Sequence, residues 1–230
     1  IGGGSNLLFV NDPDGAVIAL QNRELRIVED GEVVLLEAGA GIPWHELVML
    51  SLELGLCGLE NLALIPGTVG AAPIQNIGAY GSEVGEFIHR VHAYDRLNQQ
   101  FVSLSAADCA FGYRDSLFKQ QPDRYVLTGA QFALPRQRKP KIEYAGIPEE
   151  LSAMGISTPT ARDVAEAVIR VRQRKLPDPA LLGNAGSFFK NPIIPAAQAD
   201  ALLATHVKLP CFRGDSEQTH KLSAAWLIEA

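Results

Sequence analysis

Nowhere in its 230 residues does the sequence hold an apolar run long enough to cross a bilayer, so no membrane-spanning helix is expected. Cysteine is scarce: Cys57, Cys109 and Cys211 lie far apart and form no CxxC pair. That pattern fits neither a zinc site nor a secreted disulfide scaffold, and it favours a reducing compartment. Basic residues do not predominate. Lys and Arg total 20 against 26 Asp and Glu, a net charge of −6 with a pI near 5.4, so no global field draws nucleic acid or an anionic membrane. Any anionic ligand must be met by local cations. The five histidines, His45, His89, His92, His206 and His220, show no zinc-ligand spacing. The odd offset of His89 and His92 assigns them to opposite faces of a strand, and no metal is expected. A starting Met is missing, a signal peptide is not evident, and the chain closes on Leu227-Ile228-Glu229-Ala230 inside an apolar helical pattern. Both ends read as truncated.

What is present is the composition of a folded protein, 47% hydrophobic and 20% charged. Short apolar or β-branched runs at Leu7–Val10, Val17–Leu20 and Val33–Glu37 read as strands between turn residues. A helix follows, with Pro43 in its first turn, Trp44, Leu47, Val48 and Leu52 on one face, and Gly55 ending it. Strands return at Arg90–Tyr94, Phe101–Leu104 and Tyr125–Leu134, and a polar, proline-bearing connector occupies 135–160. Thr160 and Asp163 form a capping box for a helix that buries Ala161, Val164, Val168 and Val171 and stops at Leu176-Pro177. Further helices are expected from about Pro195 to Ala204 and from about Gln218. Strand runs mixed with isolated helices indicate an α+β fold, with a domain over 1–176 and a smaller one over 177–230.

Two glycine-rich segments carry the chemistry. Gly2-Gly3-Gly4-Ser5-Asn6 is no dinucleotide fingerprint, because a strand-like run rather than a helix follows it. By themselves the glycines read as a tight turn, though their backbone N–H groups can also form an anion nest. The second segment runs from Pro66 to Gly81 and includes Gly67, Thr68, Gly70, Ala71, Gln75, Asn76, Gly78, Ala79 and Tyr80, with almost no charge. Small residues there let the backbone approach a large flat ligand. As a solvent loop it would be oddly apolar.

Four stretches are similar, in order and spacing, to motifs of the UDP-N-acetylenolpyruvoylglucosamine reductase family. They are Glu60–Gly70, Pro73–Gly81, Phe111–Lys119 and Gly183–Pro192, and the resemblance runs from Gly2 to the end. It implies a flavin domain of the vanillyl-alcohol-oxidase/PCMH type, then a smaller α/β substrate domain, with the active site between them. It also implies FAD and NADPH as cofactors and a UDP-sugar enolpyruvyl ether as substrate. A cytoplasmic, monomeric enzyme of peptidoglycan precursor synthesis would follow, without nucleic acid or membrane partners.

The same resemblance assigns residues. In the family, hydride passes from NADPH to FAD and then from flavin N5 to C3 of the enolpyruvyl group, leaving charge at C2 and on its carboxylate. An acid and a cation are then needed. Ser187 matches the proton donor. Arg114 matches the arginine facing the carboxylate, beside Tyr113. Tyr144 and Lys175 match residues that hold the diphosphate, with Asn191 reaching the nucleotide, and the neighbouring Arg170, Arg172 and Arg174 form a basic cluster. The family's C-terminal catalytic glutamate has no match, since Glu229 lies ahead of that segment. Two other readings are a flavin oxidase using O2 and a nucleotide-sugar binding module without flavin.

Overall fold

The computed structural model describes residues 1–184, 188–214 and 216–229. Two compact units divide the chain, Ile1–Gly183 and Asn184–Ala230.

The first unit is built on β1 (Leu25–Glu29), β2 (Val33–Gly39), α1 (Trp44–Glu53), β3 (Gly78–Ala79), β4 (Ser82–Glu83), β5 (Ile88–Asp95), β6 (Gln100–Ser105), α2 (Leu117–Gln120), β7 (Tyr125–Pro135), α3 (Ile147–Ala153) and α4 (Ala161–Lys175). Five strands form an antiparallel sheet in the order β1-β2-β7-β5-β6. Val34, Leu36 and Ala38 alternate inward along β2, where Val34 and Leu36 lie opposite Leu134 and Phe132 of β7 and share one core with the buried residues of α1 and α4. Trp44, fully buried, anchors this core: its ring lies 6.0 Å from Phe132 and its indole N–H donates to the Leu62 carbonyl. The Thr160–Asp163 capping box forms as the sequence indicates. The Thr160 hydroxyl accepts from the Asp163 N–H, and the Asp163 carboxylate accepts from Thr160 at 2.8 Å. Val164, Val168 and Val171 are buried.

Three expectations need correction. Leu7–Val10 and Val17–Leu20 are not strands. Their side chains are largely exposed, and Ile1 supplies only isolated backbone hydrogen bonds, to Ile18 and Leu20. Apolar composition marks a strand only where a neighbouring strand accepts its backbone groups. The irregularities in β5 at Ile88/Arg90 and His92/Ala93 leave Ile88, Val91, Ala93 and Asp95 inward. They place His89 and His92 on the same, outer side, because a bulge adds a residue that simple alternation does not count. Among the described residues no group of three potential metal ligands forms, and no helix is long and apolar enough to cross a membrane.

The second unit holds β8 (Ile193–Pro195), α5 (Ala196–Thr205), β9 (Cys211–Arg213), β10 (Thr219–Leu222) and α6 (Ala224–Glu229). Its antiparallel sheet runs β8-β10-β9, and Ala199, Leu209 and Leu222 form its small core. The helix expected from Gln218 is the third correction. Thr219–Leu222 pairs on both sides as a strand, and the helix starts after Ser223, whose hydroxyl accepts the Trp226 N–H.

Candidate functional site

The two glycine-rich segments lie against each other. Residues 67–70 run beside the turn between β2 and α1: Trp44 N–H donates to the Gly67 carbonyl, Val69 to Ile42 and Gly70 to Ala40. Gly2 then sits on Thr68 so closely that a Cβ there would collide with the threonine hydroxyl, and a Cβ at Gly3 would stand 3.5 Å from Gly67 Cα. The Ser5 hydroxyl faces Gly67, and the Asn6 amide donates to Gln75 at 3.3 Å. Within this cradle the Thr68 hydroxyl is buried without a hydrogen-bond partner among the described residues. A buried, unpaired hydroxyl costs about 1–3 kcal/mol, so its persistence in a glycine-lined cradle fits a site that a polar ligand completes. Backbone closeness, a free hydroxyl and missing side chains suit the pyrophosphate of a dinucleotide cofactor.

The second segment ends in a tight hairpin. β3 and β4 are joined by Tyr80 and Gly81, both at positive φ (48° and 79°), the geometry of a two-residue I′ turn. Arg114, itself at φ 55°, lays its guanidinium under this hairpin, donating to the carbonyls of Asn76 and Gly78, with Glu83 3.8 Å away. A glycine at position 78 suits this close approach, since a Cβ would stand 2.9 Å from the Ser82 carbonyl oxygen and 2.7 Å from Arg114 Nη1. Tyr113 lies beside the same guanidinium, 5.2 Å from its ring centre. Asn76 is committed to the protein: its amide donates to Glu83 and Gly112 and accepts from Gly85. That side chain pins the loop.

A third group joins the hairpin to α4. Arg172, mostly buried, donates from Nε to the Leu64 carbonyl at 3.2 Å and hydrogen-bonds the Tyr80 hydroxyl. Burial lowers the Arg172 pKa. Burial also raises that of Tyr80, against the pull of the arginine charge. Tyr144 packs edge-on against Tyr80, ring centres 5.2 Å apart. Lys175, at the end of α4, reaches the same loop, its Nζ 4.0 Å from where a Gly146 Cβ would stand. Asn61 fastens the hairpin from below, donating to the Tyr80 and Lys141 carbonyls. Sequence reasoning missed Asn61 and Lys141. Their only signal was an Asn in an apolar stretch and a lysine in the connector.

Residues 1–98 match a family described as an FAD binding domain. Over all 230 residues the chain is 57% identical to the UDP-N-acetylenolpyruvoylglucosamine reductase of Xanthomonas axonopodis pv. citri, covering 66% of that protein. It is equally, 57%, identical to the same-named protein of a Xanthomonas oryzae pv. oryzae strain, covering 68% of it. The chain belongs to the UDP-N-acetylenolpyruvoylglucosamine reductase family. It spans about two thirds (66%) of the length of the first such relatives. A crystal structure of UDP-N-acetylenolpyruvylglucosamine reductase (MurB) from Thermus caldophilus matches 96% of this chain and 72% of that one, at TM-score 0.57 and 25% identity.

Against this reductase family, the remaining site residues fall as follows. Ser187 lies outside the described residues. Asn191 belongs to the second unit, where its side-chain oxygen accepts the Ala224 N–H at 2.9 Å at the start of α6. The basic cluster on α4 separates. Arg170 pairs with Glu166 and Arg174 with Glu150, while Arg172 turns inward, because 100° per residue spreads neighbours around a helix. A groove of about 510 Å³ lined by Cys57, Arg136–Pro140 and Pro159–Ala161 shares no residue with the site. Its arginines are already partnered, Arg136 by Asp30 and Arg138 by Glu86, and Asp163 occupies the start of α4.

Proposed function

We propose that this protein reduces UDP-N-acetylglucosamine enolpyruvate to UDP-N-acetylmuramate with NADPH through bound FAD, a step of peptidoglycan precursor synthesis. The observation that carries the reading is the glycine cradle with its unpartnered Thr68 hydroxyl, set in a chain of this family. Gly2–Asn6 and Pro66–Gly81 would hold the flavin nucleotide, Thr68 and backbone N–H groups meeting its phosphates. When bound, FAD would supply hydride-transfer chemistry between NADPH and the enolpyruvyl ether.

The chain's own residues do the rest. Arg114, permanently charged and already anchored through two carbonyls, keeps further N–H groups to offer the substrate carboxylate, where charge grows as hydride arrives. Ser187 delivers the proton to C2, so that one hydride and one proton saturate the double bond. Tyr144 and Lys175 hold the diphosphate, and Asn191 meets the nucleotide.

Half-reactions followed anaerobically by stopped-flow absorbance test this. NADPH should bleach the flavin, and the enolpyruvyl substrate should restore it. In Ser187→Ala the first step stays within a few-fold of wild type and the second falls by about 10² or more. Rapid hydrogen peroxide formation in air, with no reoxidation by the enolpyruvyl ether, would mean an oxidase instead.

A further inference from the structure

His45 has no place in the chemistry above, yet it holds one end of the chain of contacts that reaches Tyr144. It sits in the first turn of α1, half-buried, and burial lowers its pKa, which favours the neutral imidazole. Its Nδ1 accepts the N–H of Leu64 at 3.1 Å, so that nitrogen carries no proton. Leu64 is in the left-handed region, φ 58°, where a leucine is strained unless its surroundings hold it. Two side chains grip its peptide groups: His45 at the N–H and Arg172 Nε at the carbonyl. Arg172 in turn bonds Tyr80, and Tyr80 packs on Tyr144.

We infer that His45 is a positioning residue, fixing the Leu64 peptide so that its carbonyl seats Arg172 and, through it, Tyr80 and Tyr144. Without the imidazole acceptor, Leu64 relaxes out of the left-handed conformation and its carbonyl swings away. Arg172 then loses one of its two partners, and the tyrosine pair loosens. Where this bears on turnover it rests on the proposed role of Tyr144 at the substrate diphosphate.

The test compares His45→Leu with His45→Asn in the FAD-loaded protein. An asparagine Oδ1 stands close to the position of Nδ1 and can accept the same N–H, whereas leucine cannot. Tyrosine ring NMR signals read the coupling without substrate. Those of Tyr80 and Tyr144 should shift in the leucine variant and return in the asparagine one. With the enolpyruvyl substrate, His45→Leu should raise KM about tenfold with kcat within about twofold, and His45→Asn should restore KM. Unmoved tyrosine signals in His45→Leu would overturn the inference. If His45→Leu does not fold, His45→Asn and His45→Gln decide it, because only the shorter side chain places an acceptor at Nδ1; equal behaviour of the two would overturn it. Shifted and restored signals in a protein that never turns over the enolpyruvyl ether would leave the coupling standing and remove the proposed function.

Discussion

Thr68 shows how a single side chain separates stability from binding. Its hydroxyl is buried and has no partner among the described residues, so in the cofactor-free protein it is an unfavourable group. Thr68→Val keeps the shape and removes the hydroxyl. Thermal unfolding of the cofactor-free variant should occur at the wild-type temperature or above it, while FAD affinity, measured by titration, falls about tenfold. Lower stability with unchanged affinity would place the hydroxyl outside the cofactor contact. Glycine content already marked this cradle in the sequence, because a side chain at Gly2 would collide with Thr68. What was not legible is which polar side chains turn inward to the protein. Asn76 and Arg172 read as ligand groups by position and residue type, but both are spent, wholly or partly, on internal partners, and partners distant in sequence leave no local trace.

At the scale of elements, helices were legible where their ends carried side-chain signals. The Thr160–Asp163 box and Leu176-Pro177 bounded α4, and Pro43 opened α1. Strands were legible only when paired: the runs behind β2, β5, β6 and β7 found neighbours, whereas Leu7–Val10, equally apolar, did not. α6 starts at its Ser223 cap, beyond the strand Thr219–Leu222, and not at Gln218, because the apolar pattern does not mark where strand gives way to helix. The end of β5 offers a pH test. Asp95 accepts three hydrogen-bond contacts from Arg124 and others from Leu97 and Asn98. The Arg124 bond, against the upward push of burial, holds its carboxyl at about 2. Because that value lies below the ordinary ~3.9 of an unfolded aspartate, the carboxylate stabilises the fold fully above roughly pH 4 and ceases to as pH falls through its folded value. Asp95→Asn should therefore unfold at lower temperature than wild type near neutrality, with the difference shrinking in acid. A difference constant from neutrality to strong acid would deny Asp95 its ionised role.

Across the whole molecule, family membership was legible because its motifs are long and ordered, and three of the four fall in the first unit, which holds the glycine cradle, the Tyr80–Gly81 hairpin over Arg114, and the Tyr144 loop at the end of α4. The five-stranded sheet, α1 and α4 hold these pieces in fixed register, and that is what an α+β scaffold contributes to a site made largely of backbone. The most direct test is the visible absorption spectrum of the purified protein after incubation with FAD and removal of the excess, recorded before and after denaturation. Flavin bands that stay with the protein and pass into the filtrate on unfolding are the predicted result. A protein that retains no flavin would contradict the assignment of the glycine cradle to FAD.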